Sequence, residues 1–207
     1  MKEILCFGDS NTYGLVPGEA RRFSYEERWT GILAEKLGKG FHITEEGLCG
    51  RTTVFEDAFR EGRRGSKSLP VILESHSDTE FIVLILGTND LKTCFKTNEK
   101  IIALGVEQLV EQIKNFNPEI RILIVSPIHL GEKVWQEGYD TEFDIESVET
   151  SKKLKDEYKK ISRKHKTEFL SASDFAKPSN TDQEHLDKKN HLLLAEALYK
   201  KIEKIYA

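Results

Sequence analysis

With 207 residues, 38% of them hydrophobic and 32% charged, the chain has the length and composition of one globular domain with a full core. A formal net charge of -4 gives no electrostatic case for nucleic acid or an anionic membrane as partner. The longest apolar run, Phe81 to Leu86, is far too short to span a bilayer, no signal segment leads the first strand, and Cys6, Cys49 and Cys94 are too scattered for a disulfide framework or zinc knuckle, so a reduced, cytoplasmic protein is expected.

The first element is Ile4-Leu5-Cys6-Phe7, which runs straight into Gly8-Asp9-Ser10-Asn11. A short apolar run stopped by Gly and Asp reads as a buried parallel strand. Ligands of open α/β sheets bind beyond the carboxyl ends of such strands, which puts Ser10 where chemistry would be placed. Taken alone, the same residues read equally well as a turn in which Ser10 caps a helix. Tyr25 to Leu37 carries Trp29, Ile32, Leu33 and Leu37 at helical spacing, and Gly38 stops it. Phe41 to Thr44 is a short second strand, followed by a loop from Glu45 through Gly47, Cys49 and Gly50 to Thr53 whose two glycines suggest a close backbone approach. Leu69 to Ser75 reads as helical, with Pro70 near its start.

Phe81 to Leu86 shows no polar alternation, the mark of a central parallel strand buried on both faces. It ends in Gly87-Thr88-Asn89-Asp90, an echo of the turn after the first strand. A helix follows over Asn98 to Phe116, then a strand over Ile120 to Val125 ending at Ser126-Pro127. His129 to Asp144 is the longest irregular stretch and holds Trp135, Tyr139 and Phe143; such a loop is either a lid or interface, or packs on itself. Ser147 to Lys166 is a charged helix whose lysines form a solvated face. Phe169 to Ser171 is the last strand and Asp187 to Tyr206 a terminal helix. Strands alternating with helices predict a single doubly wound α/β domain, 1–207, with a five-stranded parallel sheet and right-handed crossovers.

Three loops at the sheet edge offer Ser10, the Gly47 to Thr53 turn and Asn89, and Asp182-Gln183-Glu184-His185 precedes the terminal helix, with His191 beyond it. A serine hydroxyl is a weak nucleophile near neutral pH until a histidine takes its proton, and that imidazole needs a carboxylate to fix its tautomer. Asp182 and His185 are close enough for one loop to present both. Attack on an ester creates an oxyanion, for which the Ser10 and Gly50 backbone N–H groups and the Asn89 amide are the available donors.

In this order the four blocks, Gly8-Asp9-Ser10, the glycine after strand two, Gly87-Thr88-Asn89-Asp90 and Asp182-x-x-His185, resemble those of the SGNH (GDSL-type) hydrolases. The resemblance covers nearly the whole chain. It implies a flavodoxin-like three-layer α/β/α fold, Ser10 as nucleophile, His185 as general base oriented by Asp182, and an oxyanion hole of Ser10, Gly50 and Asn89. Arg28-Trp29-Thr30-Gly31, Glu45-Glu46-Gly47-Leu48 and Arg51-Thr52-Thr53 look like the arylesterase/acyltransferase (perhydrolase) branch, which implies hydrolysis of small acyl esters and acyl transfer to alcohols. Asn11 replaces an apolar residue of that branch, so a more polar pocket rim is expected, with Cys49 and Trp135 as further pocket candidates. The Trp135 loop also differs from the branch, which leaves a homo-oligomer open.

The alternatives differ in class. A flavin-binding module would share the fold and seat a phosphate at Ser10-Asn11-Thr12, but leaves Asp182 and His185 unexplained. A metallophosphoesterase would need histidines beside Asp9 and Asp90 that are absent. The reading therefore calls for no cofactor and no metal, and for a small-molecule ester as partner. Within the esterases, a carbohydrate O-acetyl esterase is the runner-up, ahead of a lysophospholipase or thioesterase.

Overall fold

Alternating side chains of the first strand, β1 (Lys2–Gly8), divide the interior into two cores. In the computed structural model, which describes residues 1–207, Leu5 and Phe7 pack on one face with Ile82, Leu84, Ile122 and Ile124. Ile4 and Cys6 pack on the other with Phe81, Val83, Ile85, Leu123 and Val125. The five strands are β1, β2 (Phe41–Gly47), β3 (Phe81–Ile85), β4 (Arg121–Ser126) and β5 (Glu168–Ser171), in the order β2-β1-β3-β4-β5. All pairs are parallel, as the alternation of elements predicts. Helices α3 (Gly65–Ser75), α4 (Glu99–Phe116) and α5 (Ile145–His165) cover the Leu5/Phe7 face. The opposite face lies under α2 (Trp29–Leu37) and α6 (Lys188–Tyr206). Covered on both sides, β3 buries every residue, which is why it reads as an unbroken apolar run. No helix is long and apolar enough to cross a membrane.

Register brings the functional turns together. Gly8 pairs with Gly47 on one side and with Ile85 on the other, so β1, β2 and β3 end level. The chain leaves β1 toward β2 on one side and returns to β3 on the other, which makes this edge the switch point where α/β sheets bind ligands. A Cβ on Gly47 would fall on the backbone of Thr12 and Tyr13, so only glycine lets the end of β2 lie against the turn that carries Ser10.

Three elements differ from their sequence expectations. The stripe from Tyr25 is broken: Tyr25–Glu27 is a single 3-10 turn, Arg28 is extended, and the helix begins at Trp29. Strand β2 runs on through Glu45 and Glu46, which the sequence places in a loop. Glu45 is satisfied there by Arg28, at 2.6 and 2.9 Å, and by the Thr30 hydroxyl, so the Arg28-Trp29-Thr30 block clamps α2 to β2. Helix α3 starts four residues earlier than expected, with Pro70 inside it. Proline cannot donate to the carbonyl four residues back. That carbonyl, Ser66 O, accepts instead from Gln112 Nε2 of α4 at 2.8 Å.

Candidate active site

The turn after β1 opens α1 (Ser10–Tyr13), one helical turn capped by Asp9, whose Oδ1 accepts from Asn11 N–H at 3.0 Å. This cap holds Ser10, which is 3% exposed, at the sheet edge. Facing it is the loop before α6. Asp182 Oδ1 accepts from the Glu184 and His185 N–H groups at 3.1 and 2.9 Å. Asp182 Oδ2 lies 2.8 Å from His185 Nδ1 and accepts from Gly18 N–H at 3.2 Å. A carboxylate can only accept, so Nδ1 carries a proton in either state, and in the neutral imidazole Nε2 presents its lone pair. Ser10 Oγ lies 2.8 Å from that Nε2. Asp182, His185 and Ser10 thus form an unbroken hydrogen-bonded line.

Asn11 staples the two halves of this line. Its Oδ1 accepts from Leu186 N–H at 2.9 Å and its Nδ2 donates to Glu184 O at 3.5 Å. It is 5% exposed, and both ends of its amide are taken by the loop before α6, where the sequence predicts a polar pocket rim. The indole of Trp29 braces the same turn from below, donating to Asn11 O at 3.1 Å. His191 is fully buried and accepts from Trp29 N–H at 3.2 Å; burial lowers its imidazole to about 4, so it stays neutral and supports the core.

The remaining sequence candidates converge on the same edge. Gly50 adopts φ +82°, a left-handed conformation suited to glycine, in a turn closed by Arg51 N–H on Leu48 O at 3.0 Å. Asn89 is 3% exposed and its Nδ2 donates to Arg51 O at 3.1 Å, which ties the end of β3 to the Gly50 turn. Neither Ser10 N–H nor Gly50 N–H donates to any group of the chain. Beneath them Asp90 takes the Thr53 N–H and hydroxyl, while Arg51 Nη1 donates to Gly8 O at 2.9 Å and fastens the turn to β1.

A cleft of about 700 Å³ opens over His185. Its walls include Cys49, Arg60, Asp140, Thr141, Thr181, Asp182 and Glu184, and few are apolar. Cys49 lies in this wall. Trp135 does not: its Nε1 donates to Glu132 O within its own loop, and the wall is made by Gly138 to Thr141 of that loop. The loop is anchored by buried Leu130, Val134 and Phe143, and by Gly131 N–H on Gln183 O at 2.7 Å. It therefore packs on the core and forms one side of the cleft.

Burial alone would lower the His185 imidazole, but Glu184, the Asp182 bond and charge, and Asp9 push it up to about 9. Burial would raise Asp182, yet its bonds to His185 and to backbone N–H groups bring it below the ordinary carboxylate range. Asp182 is therefore ionised, and the carboxylates around His185 favour its imidazolium form.

The family model of the GDSL-like lipases and acylhydrolases matches residues 6–196. No curated protein matches the sequence. Among solved structures, a carbohydrate acetylesterase from Sinorhizobium meliloti is 33% identical over 99% of this chain and 100% of its own, with a TM-score of 0.91. The inhibitor-bound aryl esterase of M. smegmatis is 31% identical over 99% of both chains, with a TM-score of 0.93. A further solved chain is 37% identical over 99% of this chain and 98% of its own, with a TM-score of 0.95.

Proposed function

The chain belongs to the GDSL-like lipase/acylhydrolase family and is a carboxylic ester hydrolase; we propose that it cleaves short-chain acyl esters, acetyl esters first, through an acyl-enzyme on Ser10. The observation that carries this reading is the line Asp182–His185–Ser10, with 2.8 Å at each side-chain link. Ser10 Oγ attacks the ester carbonyl as His185 Nε2 takes its proton, and Asp182 stabilises the imidazolium. The carbonyl oxygen becomes an oxyanion held by the Ser10 and Gly50 N–H groups and the Asn89 amide. Collapse breaks the bond to the alcohol oxygen, which leaves with the proton from His185. Water then attacks the acyl-serine by the same route and frees the acid; an alcohol in its place would give acyl transfer.

Ten of the fourteen residues that line the cleft are polar, charged or glycine, a lining that favours a short acyl group over a long apolar chain. A series of p-nitrophenyl esters from acetate to palmitate tests this, with kcat/KM expected to peak between acetate and butyrate. A maximum at palmitate would move the reading to a lipid esterase.

The charges around His185 make a second expectation. The base acts only when neutral, so activity rises as the imidazolium loses its proton. Glu184, Asp182 and Asp9 all favour the imidazolium, so the rising limb of kcat/KM should have its midpoint above the ordinary histidine value of about 6.5. Glu184→Gln removes the largest raising charge and should move that midpoint toward lower pH. A parent midpoint at or below the ordinary value would contradict this electrostatic picture.

A further inference from the structure

Glu184 is the one carboxylate in the cleft wall to which no group of the chain donates. Glu19 is taken by Arg21, Asp140 by Glu142 N–H, and Asp182 by His185. The Glu184 side chain receives no hydrogen bond, although the residue is only 7% exposed. The nearest cationic group, His185 Nε2, is 3.8 Å from Glu184 Oε1, beyond hydrogen-bond reach, and already faces Ser10. A side chain more than nine-tenths buried that takes no donor from the chain has its remaining opening toward the cleft, where a ligand can supply one.

The backbone holds Glu184 firmly in this place. Glu184 N–H is bound by Asp182 and Glu184 O by Asn11. The preceding Gln183 has φ +65°, a left-handed conformation uncommon for a residue with a side chain. It is pinned there by Gly131 N–H on its carbonyl at 2.7 Å and Lys133 N–H on its Oε1 at 3.4 Å.

The leaving oxygen of an ester must come within hydrogen-bond reach of His185 Nε2 to receive its proton. A carboxylate oxygen 3.8 Å from that nitrogen is within reach of a group carried next to the leaving oxygen. In an O–C–C–O unit the second oxygen lies beside the leaving oxygen. We propose that Glu184 accepts a hydrogen bond from a hydroxyl vicinal to the scissile ester, so that the preferred substrates are partly acylated polyols or sugars. The inference rests on the esterase reading above. A quaternary ammonium at the same position is disfavoured: such cations are recognised by aromatic cages, and the cleft wall offers one aromatic ring, Tyr139, together with the cation Arg60. Thr141, Thr181 and Asp140 supply partners for further hydroxyls.

The test compares 2-hydroxyethyl acetate with propyl acetate, its isostere without the hydroxyl, and with acetylcholine. In the parent, kcat/KM for the hydroxyethyl ester should exceed that for propyl acetate about ten- to hundredfold. Glu184→Met, which keeps the shape and removes the acceptor, should bring the ratio close to one, and Glu184→Gln should leave it in between. The ratio is read within one protein, so a general loss of activity does not imitate it. A parent ratio near one, a ratio unchanged in Glu184→Met, or a preference for acetylcholine would each overturn the inference while leaving the esterase standing. Failure of the parent to hydrolyse any ester, with Ser10 unlabelled by an organophosphonate, would instead bring down the esterase reading and this inference with it.

Discussion

Ser10→Ala should lose ester hydrolysis by a factor on the order of a thousand or more, and an organophosphonate should label the parent once, at Ser10. The loss is chemical rather than structural. The Ser10 hydroxyl has one partner, His185 Nε2, so its removal leaves the Asp9 cap, the Asn11 staple and the Trp29 brace in place. The thermal midpoint of Ser10→Ala should accordingly stay near that of the parent. His185→Ala should cost about as much, and the double variant little more, because residues that act as one unit are not additive. The residual activity in all three then reports binding and the oxyanion donors alone. Labelling of a different serine, or undiminished turnover in Ser10→Ala, refutes the assignment.

The parts of this site that depend on local pattern can be read from the sequence. Ser10 and Asn89 each follow an apolar run that ends in glycine, and parallel strands that end level bring such turns to one edge. Asp182 and His185 are three residues apart, so one short loop presents both. What stays hidden depends on partners far along the chain. Asn11 looks like a rim residue because nothing near it reveals that its amide bonds the loop of Glu184 and Leu186, more than 170 residues away. Pro70 looks like a helix start because the Ser66 carbonyl that it leaves free is satisfied by Gln112, 46 residues beyond Ser66. Glu45 looks like a loop residue until Arg28 and Thr30 are seen to neutralise it within β2. Trp135 draws notice as a large aromatic in a long loop, yet the smaller residues from Gly138 to Thr141 reach the cleft. Composition marks that loop as irregular; only the packing of Leu130, Val134 and Phe143 decides which part faces inward.

Asn89→Ala should lower kcat by roughly a hundred- to a thousandfold, about 2.7–4 kcal/mol, with KM changed little. The amide sits at the end of β3, a strand buried in full, and one of its N–H bonds is committed to Arg51 O at 3.1 Å. A side-chain amide carries two such bonds, so the anchored one aims the other. A donor fixed in this way costs little reorganisation when negative charge develops on the substrate, which is when its hydrogen bond is strongest. The anchor also has a consequence for the neighbouring donor. Arg51 follows Gly50, so loss of the amide frees the carbonyl that holds the Gly50 turn in register with β3. Asn89→Asp should therefore be at least as damaging as Asn89→Ala. A carboxylate at this position would repel the oxyanion and also oppose Arg51 O, with no proton for either. In both variants the organophosphonate should still label Ser10 to completion, more slowly than in the parent, since nucleophile and base are intact. Unchanged kcat with a raised KM in Asn89→Ala would mean that Asn89 binds the ground-state ester and that two backbone N–H groups hold the oxyanion alone.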